Sequence, residues 1–241
     1  MIDPSVVILA GGLATRLRPL TEKIPKSMIT IGGRPFIEHQ LELIKKQRLK
    51  KVIICVGYLG ETVEAHIKGM DFNGLDIQFR YDGNTLLGTG GAIKKILSDL
   101  SERFIVIYGD SYLKCEYRDI VEYFDNKRGK SDVLGLMTVF KNNGMFDKSN
   151  VVFKDNEIVT YDKRNSSKDM LYIDWGFNVL TKSAFEILPN KSVFDLSELL
   201  VEMVRRTKLA GYEVLNRFYE IGSRKGIEDL EVVLKNARNN E

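Results

Sequence analysis

Val6-Val7-Ile8-Leu9-Ala10-Gly11-Gly12-Leu13-Ala14-Thr15-Arg16-Leu17-Arg18-Pro19-Leu20-Thr21, with Pro25-Lys26-Ser27 close behind, is the stretch from which the fold is read. Five apolar residues rich in β-branched types predict a strand buried on both faces. Gly11 and Gly12 follow at once and let the backbone approach a ligand closely. Cations then fall at Arg16, Arg18, Lys23 and Lys26. Backbone N–H groups in such a loop, with Arg and Lys nearby, form a concavity suited to anionic oxygens. The plainer reading of the same residues is a glycine turn after a core strand with solvated cations behind it. Two phosphate-binding patterns are absent: neither Gly-x-Gly-x-x-Gly nor Gly-x-x-x-x-Gly-Lys-Ser/Thr occurs here.

Working outward, Pro35 suits the first position of a helix, and Phe36, Ile37, Leu41 and Ile44 carry helical spacing to about Arg48. Val52-Ile53-Ile54-Cys55-Val56-Gly57 reads as a second buried strand. Strand, helix and strand over this length form a right-handed crossover and imply a parallel sheet. A short helix over Gly60–Lys68 and a strand over Ile77–Tyr81 come next. Leu86-Leu87-Gly88-Thr89-Gly90-Gly91-Ala92 opens a further helix, and glycines there would offer free N–H donors to a ligand. An ordinary capped loop would have the same composition. Phe104–Tyr108 is the third core strand, ending in Gly109-Asp110-Ser111. A carboxylate just past a parallel strand lies where open α/β sheets bind ligands. It cannot be buried without a partner, and a divalent cation is a natural one. A turn residue or helix cap is the alternative for Asp110.

Beyond Asp110 the pattern changes. A helix over Tyr117–Asn126 precedes short strands at Val133–Val139, Val151–Phe153, Ile158–Tyr161 and Tyr172–Leu180, with Asp155-Asn156 as a tight turn. These predict antiparallel additions to the sheet. Asp195-Leu196-Ser197-Glu198 has the form of a capping box, and Leu196, Leu199, Leu200, Met203 and Val204 make a core-facing helical stripe. Ile227, Leu230 and Leu234 mark a last helix. No internal repeat or linker interrupts residues 1–241, so one domain is predicted.

Composition narrows the function classes. A net charge of +3, from 36 basic and 33 acidic residues, is too balanced for a general nucleic-acid binder. The run Lys45-Lys46-Gln47-Arg48-Leu49-Lys50-Lys51 could suggest RNA or membrane contact, but it also ends a helix, where cations favour the dipole. Cys55 and Cys115 build no disulfide framework and have no metal-ligand spacing. No stretch reaches the ~20 apolar residues of a membrane span, and the first residues do not form a signal peptide. A cytoplasmic protein without nucleic-acid or membrane partners is expected. His39 and His66 fall in helices away from the glycine loops, which argues against a histidine-based triad.

The opening stretch resembles the signature of the sugar-1-phosphate nucleotidyltransferases (NDP-sugar pyrophosphorylases), Gly-Gly-x-Gly-Thr-Arg-Leu-x-Pro-Leu-Thr…Pro-Lys-Pro. It departs at Ala14, where that signature has glycine, and at Ser27, where it has proline. Leu86–Ala92 resembles a nucleotide-contacting segment of the same family, closest in wording to its heptose-1-phosphate guanylyltransferases. Gly109-Asp110 matches the family's metal ligand. Asp162-Lys163 stands where the family usually has Glu-Lys, although a solvated ion pair would look alike. Tyr219-Glu220-Ile221-Gly222-Ser223 resembles its Asp-x-Gly-Thr segment, with Glu220 in place of Asp; a carboxylate favoured by a helix N-terminus is the other reading of Glu220.

The resemblance implies an α/β fold, a Rossmann-like (GT-A-like) three-layer sandwich with a mixed, mainly parallel central sheet. It implies attack of a sugar-1-phosphate oxygen on the α-phosphorus of a nucleoside triphosphate, with release of pyrophosphate. Leu9, Ala10, Gly11, Gly12, Thr15, Arg16, Gly88, Thr89 and Gly90 would bind the nucleotide, with Arg16, Lys26 and Asp110 catalytic. Asp162, Lys163 and Asn178 would bind the sugar phosphate, and Asp110 and Glu220 would hold Mg²⁺. Guanylyl transfer to a heptose 1-phosphate is the first expectation. Cytidylyl, uridylyl or thymidylyl transfer, a non-sugar phosphate acceptor and a noncatalytic nucleotide-sugar sensor stay open. A related glycosyltransferase would carry Asp-x-Asp, which is absent. A homodimer is admitted but not required.

Overall fold

The structure, a computed structural model, describes residues 3–12, 17–83 and 85–238. In chain order the first half contains β1 (Ser5–Leu9), β2 (Thr30–Ile31), β3 (Arg34–Pro35), α1 (Phe36–Lys46), β4 (Lys51–Val56), α2 (Gly60–Lys68), β5 (Asp76–Tyr81), α3 (Gly88–Lys95), β6 (Arg103–Tyr108) and β7 (Ser111–Tyr112). The second half adds α4 (Tyr117–Arg128), β8 (Gly135–Lys141), β9 (Val151–Lys154), β10 (Glu157–Tyr161), β11 (Tyr172–Thr181), α5 (Leu196–Arg205), β12 (Leu209–Glu213), β13 (Tyr219–Glu220) and α6 (Arg224–Arg238).

Nine of these strands form one sheet in the order β5-β4-β1-β6-β11-β8-β12-β10-β9. β1 lies between β4 and β6, parallel to both, with Val7 opposite Ile53 on one side and Val106 on the other. β11 runs against β6 and β8, and β10 against β12 and β9; the other seven strands share one direction. The sheet is therefore mixed and mainly parallel, as expected, and its reversals fall in the half that read as short antiparallel strands. Asp155 and Asn156 both take positive φ, +52° and +61°, at the β9–β10 turn.

Alternation along β1 fixes the layers, because successive side chains leave opposite faces of a strand. Val6 and Ile8 pack with Ile37, Leu41 and Ile44 of α1 and with Ile120 and Phe124 of α4. Val7 and Leu9 pack on the other face with Ile93 of α3 and Leu199, Leu200 and Met203 of α5. This gives helices on both sides of the sheet. The capping box of α5 is present, with Asp195 accepting from Ser197 N and Glu198 reaching back to Asp195 N. A third, smaller cluster seats α6 against Ile29, Ile31 and Phe36.

The chain leaves β1 for β4 and β5 on one side and returns to β6 on the other. The order reverses between β1 and β6, and a crevice opens at the carboxyl ends of strands there. Leu9, Ala10 and Gly11 reach that crevice from β1, and Gly109 and Asp110 from β6. The two strand ends are drawn tight: Gly109 N donates to Leu9 O at 2.9 Å, and a Cβ on Gly109 would stand 2.8 Å from that same oxygen.

Candidate active site

Two cavities open at the crevice and share Lys26, Tyr108 and Asp110 as a common wall. The first, about 280 Å³, is lined by Leu9, Ala10, Gly11 and Gly12, by Gly88, Thr89 and Ala92 of α3, and by Cys55, Asp82 and Leu86. Close backbone approach explains its glycines in part. A Cβ on Gly57 would stand 2.8 Å from Gly11 O, and Gly88 holds a φ of +73°. Thr15 and Arg16 lie outside the described residues.

The glycines of α3 divide into two kinds. Gly88 and Thr89 line the cavity, but Gly90 does not. The free N–H donors expected here are already engaged, since Gly90 N and Gly91 N donate to Phe194 O at 3.0 and 3.2 Å. A Cβ on Gly90 would collide with the Phe194 ring. Thr89 Oγ1 donates to Asp195 Oδ2 at 3.0 Å and accepts from Leu196 N at 2.8 Å. Residues 88–91 thus dock α3 onto the start of α5, and only their first turn faces the cavity.

Asp82, which drew no attention in the sequence, stands on the wall of this cavity beside Gly11. Its Oδ2 accepts from Leu87 N at 3.3 Å, and a Cβ on Gly11 would be 3.7 Å from that oxygen. Burial raises its pKa above the usual aspartate range. Cys55 is buried at the end of β4, and its thiol is pushed up to about 12 by burial, which keeps it protonated and unreactive.

At the common wall, Lys26 Nζ donates to Asp110 Oδ2 at 2.6 Å, and Ser111 Oγ donates to Asp110 Oδ1 at 3.2 Å. β13 pairs with β7 so that Glu220 faces Ser111, and Ile221 N donates to Asp110 O at 2.9 Å. This pairing brings the two expected metal ligands to one place. A Cβ on Gly222 would stand 2.6 Å from Glu220 Oε2 and 2.8 Å from Lys26 Nζ, so the Glu220 carboxylate and the ammonium that pairs with Asp110 both border the space a side chain there would fill. Glu220 also folds back onto its own loop, accepting from Gly222 N and, at 2.6 Å, from Ser223 Oγ. Glu220 thus lines the larger cavity and at the same time braces the N-terminus of α6. Among the described residues no group of three or more His, Cys, Asp or Glu side chains converges. Two carboxylates fit Mg²⁺, which takes one or two from protein and the rest of its shell from phosphate and water oxygens.

The second cavity, about 640 Å³, is bounded by Asp147, Lys148 and Asn150, by Lys163, by Ile173–Gly176 of β11 and by Phe218, Glu220 and Gly222. Lys163 Nζ donates to Tyr108 Oη at 3.2 Å and lies 3.8 Å from Asp174 Oδ2. Asp174 is nearly buried, its side chain 3% exposed, and also accepts from Tyr161 Oη at 3.0 Å and Gly176 N at 3.0 Å. Burial alone would depress the Lys163 pKa; Tyr108 and Asp174 outweigh it and hold the pKa above the usual lysine value. Burial raises the Tyr108 pKa, so the hydroxyl stays protonated.

Asp162 is not brought to this wall. Its carboxylate accepts from Arg164 N, Asn165 N and Asn165 Nδ2 at 2.7 to 3.0 Å, capping its own turn, and these donors lower its pKa. The carboxylate beside Lys163 is Asp174. Asn178 lies fully buried within β11 and lines neither cavity; its amide oxygen and nitrogen have no hydrogen-bond partner. The one charged residue in the mostly apolar Tyr172–Leu180 run is the available sequence signal for Asp174.

Residues 5–146 match the family described as Nucleotidyl transferase. The chain belongs to that family. It is 31% identical over 218 residues to the D-glycero-alpha-D-manno-heptose 1-phosphate guanylyltransferase of Campylobacter jejuni subsp. jejuni serotype O:2, covering 90% of this chain and 93% of that one. Among solved structures, HddC from Yersinia pseudotuberculosis complexed with GMP-PN superposes with a TM-score of 0.74 at 26% identity, over 94% of this chain and 97% of that one. A Bacillus anthracis protein described as a putative glucose-1-phosphate thymidylyltransferase shares the fold more closely, with a TM-score of 0.82, at only 18% identity over 95% and 94% of the two chains. This member of the nucleotidyl transferase family thus has the Rossmann-like fold of its relatives along essentially the whole described chain. No described helix is long and apolar enough to cross a membrane.

Proposed function

We propose that the protein transfers a guanylyl group from GTP to a heptose 1-phosphate, giving the GDP-sugar and pyrophosphate. The observation that carries this reading is the common wall: two cavities meet at Lys26 and Asp110, so two phosphorylated substrates can meet there. The sugar-phosphate oxygen attacks the α-phosphorus, and the bond from that phosphorus to the oxygen bridging to the β-phosphorus breaks. The bridging oxygen leaves with pyrophosphate. Such a transfer needs alignment and charge neutralisation more than a protein nucleophile.

In this reading Lys26 reaches phosphates of both substrates, and Lys163 holds the sugar phosphate while Asp174 and Tyr108 hold Lys163. Arg16, assigned by its place in the sequence signature, neutralises the departing pyrophosphate. Asp110 and Glu220 would hold Mg²⁺, which when bound adds positive charge against the phosphate oxygens. Asp82 favours guanine. A carboxylate only accepts hydrogen bonds, and guanine presents N1–H and N2–H₂ as adjacent donors, whereas uracil and thymine flank their one donor with two carbonyls. GTP as donor goes with a cytoplasmic setting.

Four nucleoside triphosphates crossed with a panel of sugar 1-phosphates, read by pyrophosphate release, test the proposal. GTP with D-glycero-α-D-manno-heptose 1-phosphate should give the highest kcat/KM. A different best pair would reassign the substrates. No release from any pair, with a nucleotide sugar still bound, would make the protein a noncatalytic sensor.

A further inference from the structure

Residues 142–149 make up all but the last residue of the loop between β8 and β9, and they supply Asp147 and Lys148 to the wall of the larger cavity. Asn142, fully buried, organises the loop from within: its Nδ2 donates to Asp147 O at 2.6 Å and to Ser149 Oγ at 3.0 Å, and its Oδ1 accepts from Phe146 N at 3.1 Å. Asn142 N and Asn143 N donate to Leu171 O at 3.0 and 2.9 Å, and Lys148 Nζ donates to Arg164 O at 3.2 Å, so these bonds tie the loop to the β10–β11 connection and not to β13. Phe146, in this loop, is 39% exposed and meets the core only through the ring of Phe140, 6.0 Å away centre to centre.

On its exposed side Phe146 meets Arg217. The guanidinium carbon lies 3.8 Å from the Phe146 ring centre and 4.8 Å from that of Tyr219, so the cation is stacked between a loop residue and the neighbour of Glu220. Its Nη2 donates to Asp229 Oδ2 of α6 at 2.5 Å. Its Nε is buried with no hydrogen-bond partner. The guanidinium is thus placed by its stacking face together with the one donor paired to Asp229. Arg217 therefore joins three pieces: the loop bearing Asp147 and Lys148, the strand bearing Glu220, and the helix behind them.

We infer that Arg217 is a positioning residue that pins the 142–149 loop against β13 and so completes the acceptor half of the cleft. It lines neither of the two cavities of the cleft; it acts through Phe146 on Asp147 and Lys148, and through Tyr219 on Glu220. The planar guanidinium is needed, because lysine cannot stack on two rings at once. The substrate side of this inference rests on the larger cavity being the sugar-phosphate site; the mechanical side does not.

Two measurements on Arg217→Ala, Arg217→Lys and Phe146→Ala separate these sides. In the ligand-free protein, hydrogen exchange at amides 143–149 and 219–220 should speed up in the alanine variants and stay unchanged in β1 and β4. In kinetics with D-glycero-α-D-manno-heptose 1-phosphate, Arg217→Ala should raise the acceptor KM about tenfold, in line with a desolvated cation–π contact. GTP affinity by calorimetry should stay within about twofold, Arg217→Lys should recover only part of the loss, and the double alanine variant should be no worse than either single. Unchanged exchange in the loop would overturn the pin, as would equal losses for GTP and acceptor or full rescue by lysine. If the wild-type protein fails to bind the heptose phosphate, the functional reading falls, while the exchange result still decides whether Arg217 holds the loop.

Discussion

Lys26 and Asp110 lie 84 residues apart in sequence and 2.6 Å apart in space, Nζ to Oδ2, tying the loop after β1 to the end of β6. Their pairing sits where both cavities meet, so it is the place to test first. Lys26→Ala should lower kcat about 10²–10³-fold, the usual loss of one preorganised donor to a transition-state charge. The melting temperature should move little, because the two side chains are 21% and 35% exposed and such pairs add little to stability. A variant with unchanged kcat would remove Lys26 from the reacting phosphates.

Glu220 braces α6 in the structure and is proposed to hold Mg²⁺, and Glu220→Gln should report both roles. Half-maximal rate should need several-fold more Mg²⁺, and the plateau should drop. The melting temperature should fall modestly as well, equivalent to about 0.3–1 kcal/mol for a carboxylate near a helix N-terminus, since Glu220 accepts from Gly222 N and Ser223 Oγ ahead of α6. Titration of rate against Mg²⁺ after chelation, beside thermal melts, checks the two effects separately. An unchanged Mg²⁺ response with a lowered melting temperature would leave Glu220 as a brace alone.

Asp82→Asn should weaken GTP binding about 10–100-fold, the range for hydrogen bonds to a charged group, and narrow the gap between GTP and the other triphosphates. The pH dependence follows from its raised pKa. Only the ionised carboxylate accepts two guanine donors, so wild-type GTP affinity should decline on acidification from a pH above the usual aspartate range; the asparagine variant should lack that decline. Stability runs the other way. A folded pKa above the unfolded one makes the charged group unfavourable to the fold at neutral pH and neutral in effect below both values. The ligand-free variant should therefore melt slightly higher than wild type at pH 7 and equally near pH 3.

Lys163→Ala should raise the acceptor KM about 10–100-fold and leave GTP affinity nearly intact, for loss of a charge-assisted contact. It should also lower the melting temperature, because Asp174 is left buried beside Tyr161 without its cation. Adding Asp174→Asn should recover stability but not KM. Recovery of neither would show that Asp174 depends on more than Lys163.

Much of this was legible in residue order. Apolar runs and helical spacing located β1, α1, β4 and β6, and a carboxylate at the end of a parallel strand located Asp110. Residues placed by distant packing were not legible. Gly90 looks like a ligand-facing glycine until the Phe194 ring, more than a hundred residues away, is seen occupying the space of its side chain. Asp162-Lys163 stands where the family has Glu-Lys, yet the two side chains part just beyond β10: Tyr161 and Lys163 face the cleft network, and Asp162 turns back on its own loop. Asp82 lies on a loop of no distinctive pattern, and only the strand order brings it beside Gly11.

The two cavities divide along the chain as well as in space. Every residue around the smaller one falls between Leu9 and Asp110, whereas the larger one, apart from Leu17 and Lys26, is drawn from Tyr108 onward. The family match likewise ends at residue 146, just as the loop bearing Asp147 and Lys148 begins to line the larger cavity. With the smaller cavity taking the nucleotide and the larger the sugar phosphate, as proposed, donor and acceptor preference would be written in successive stretches of one gene. A single recombination downstream of Asp110 would graft a new acceptor onto an unchanged choice of base, and a lineage of such proteins can diversify its sugars without relearning its nucleotide.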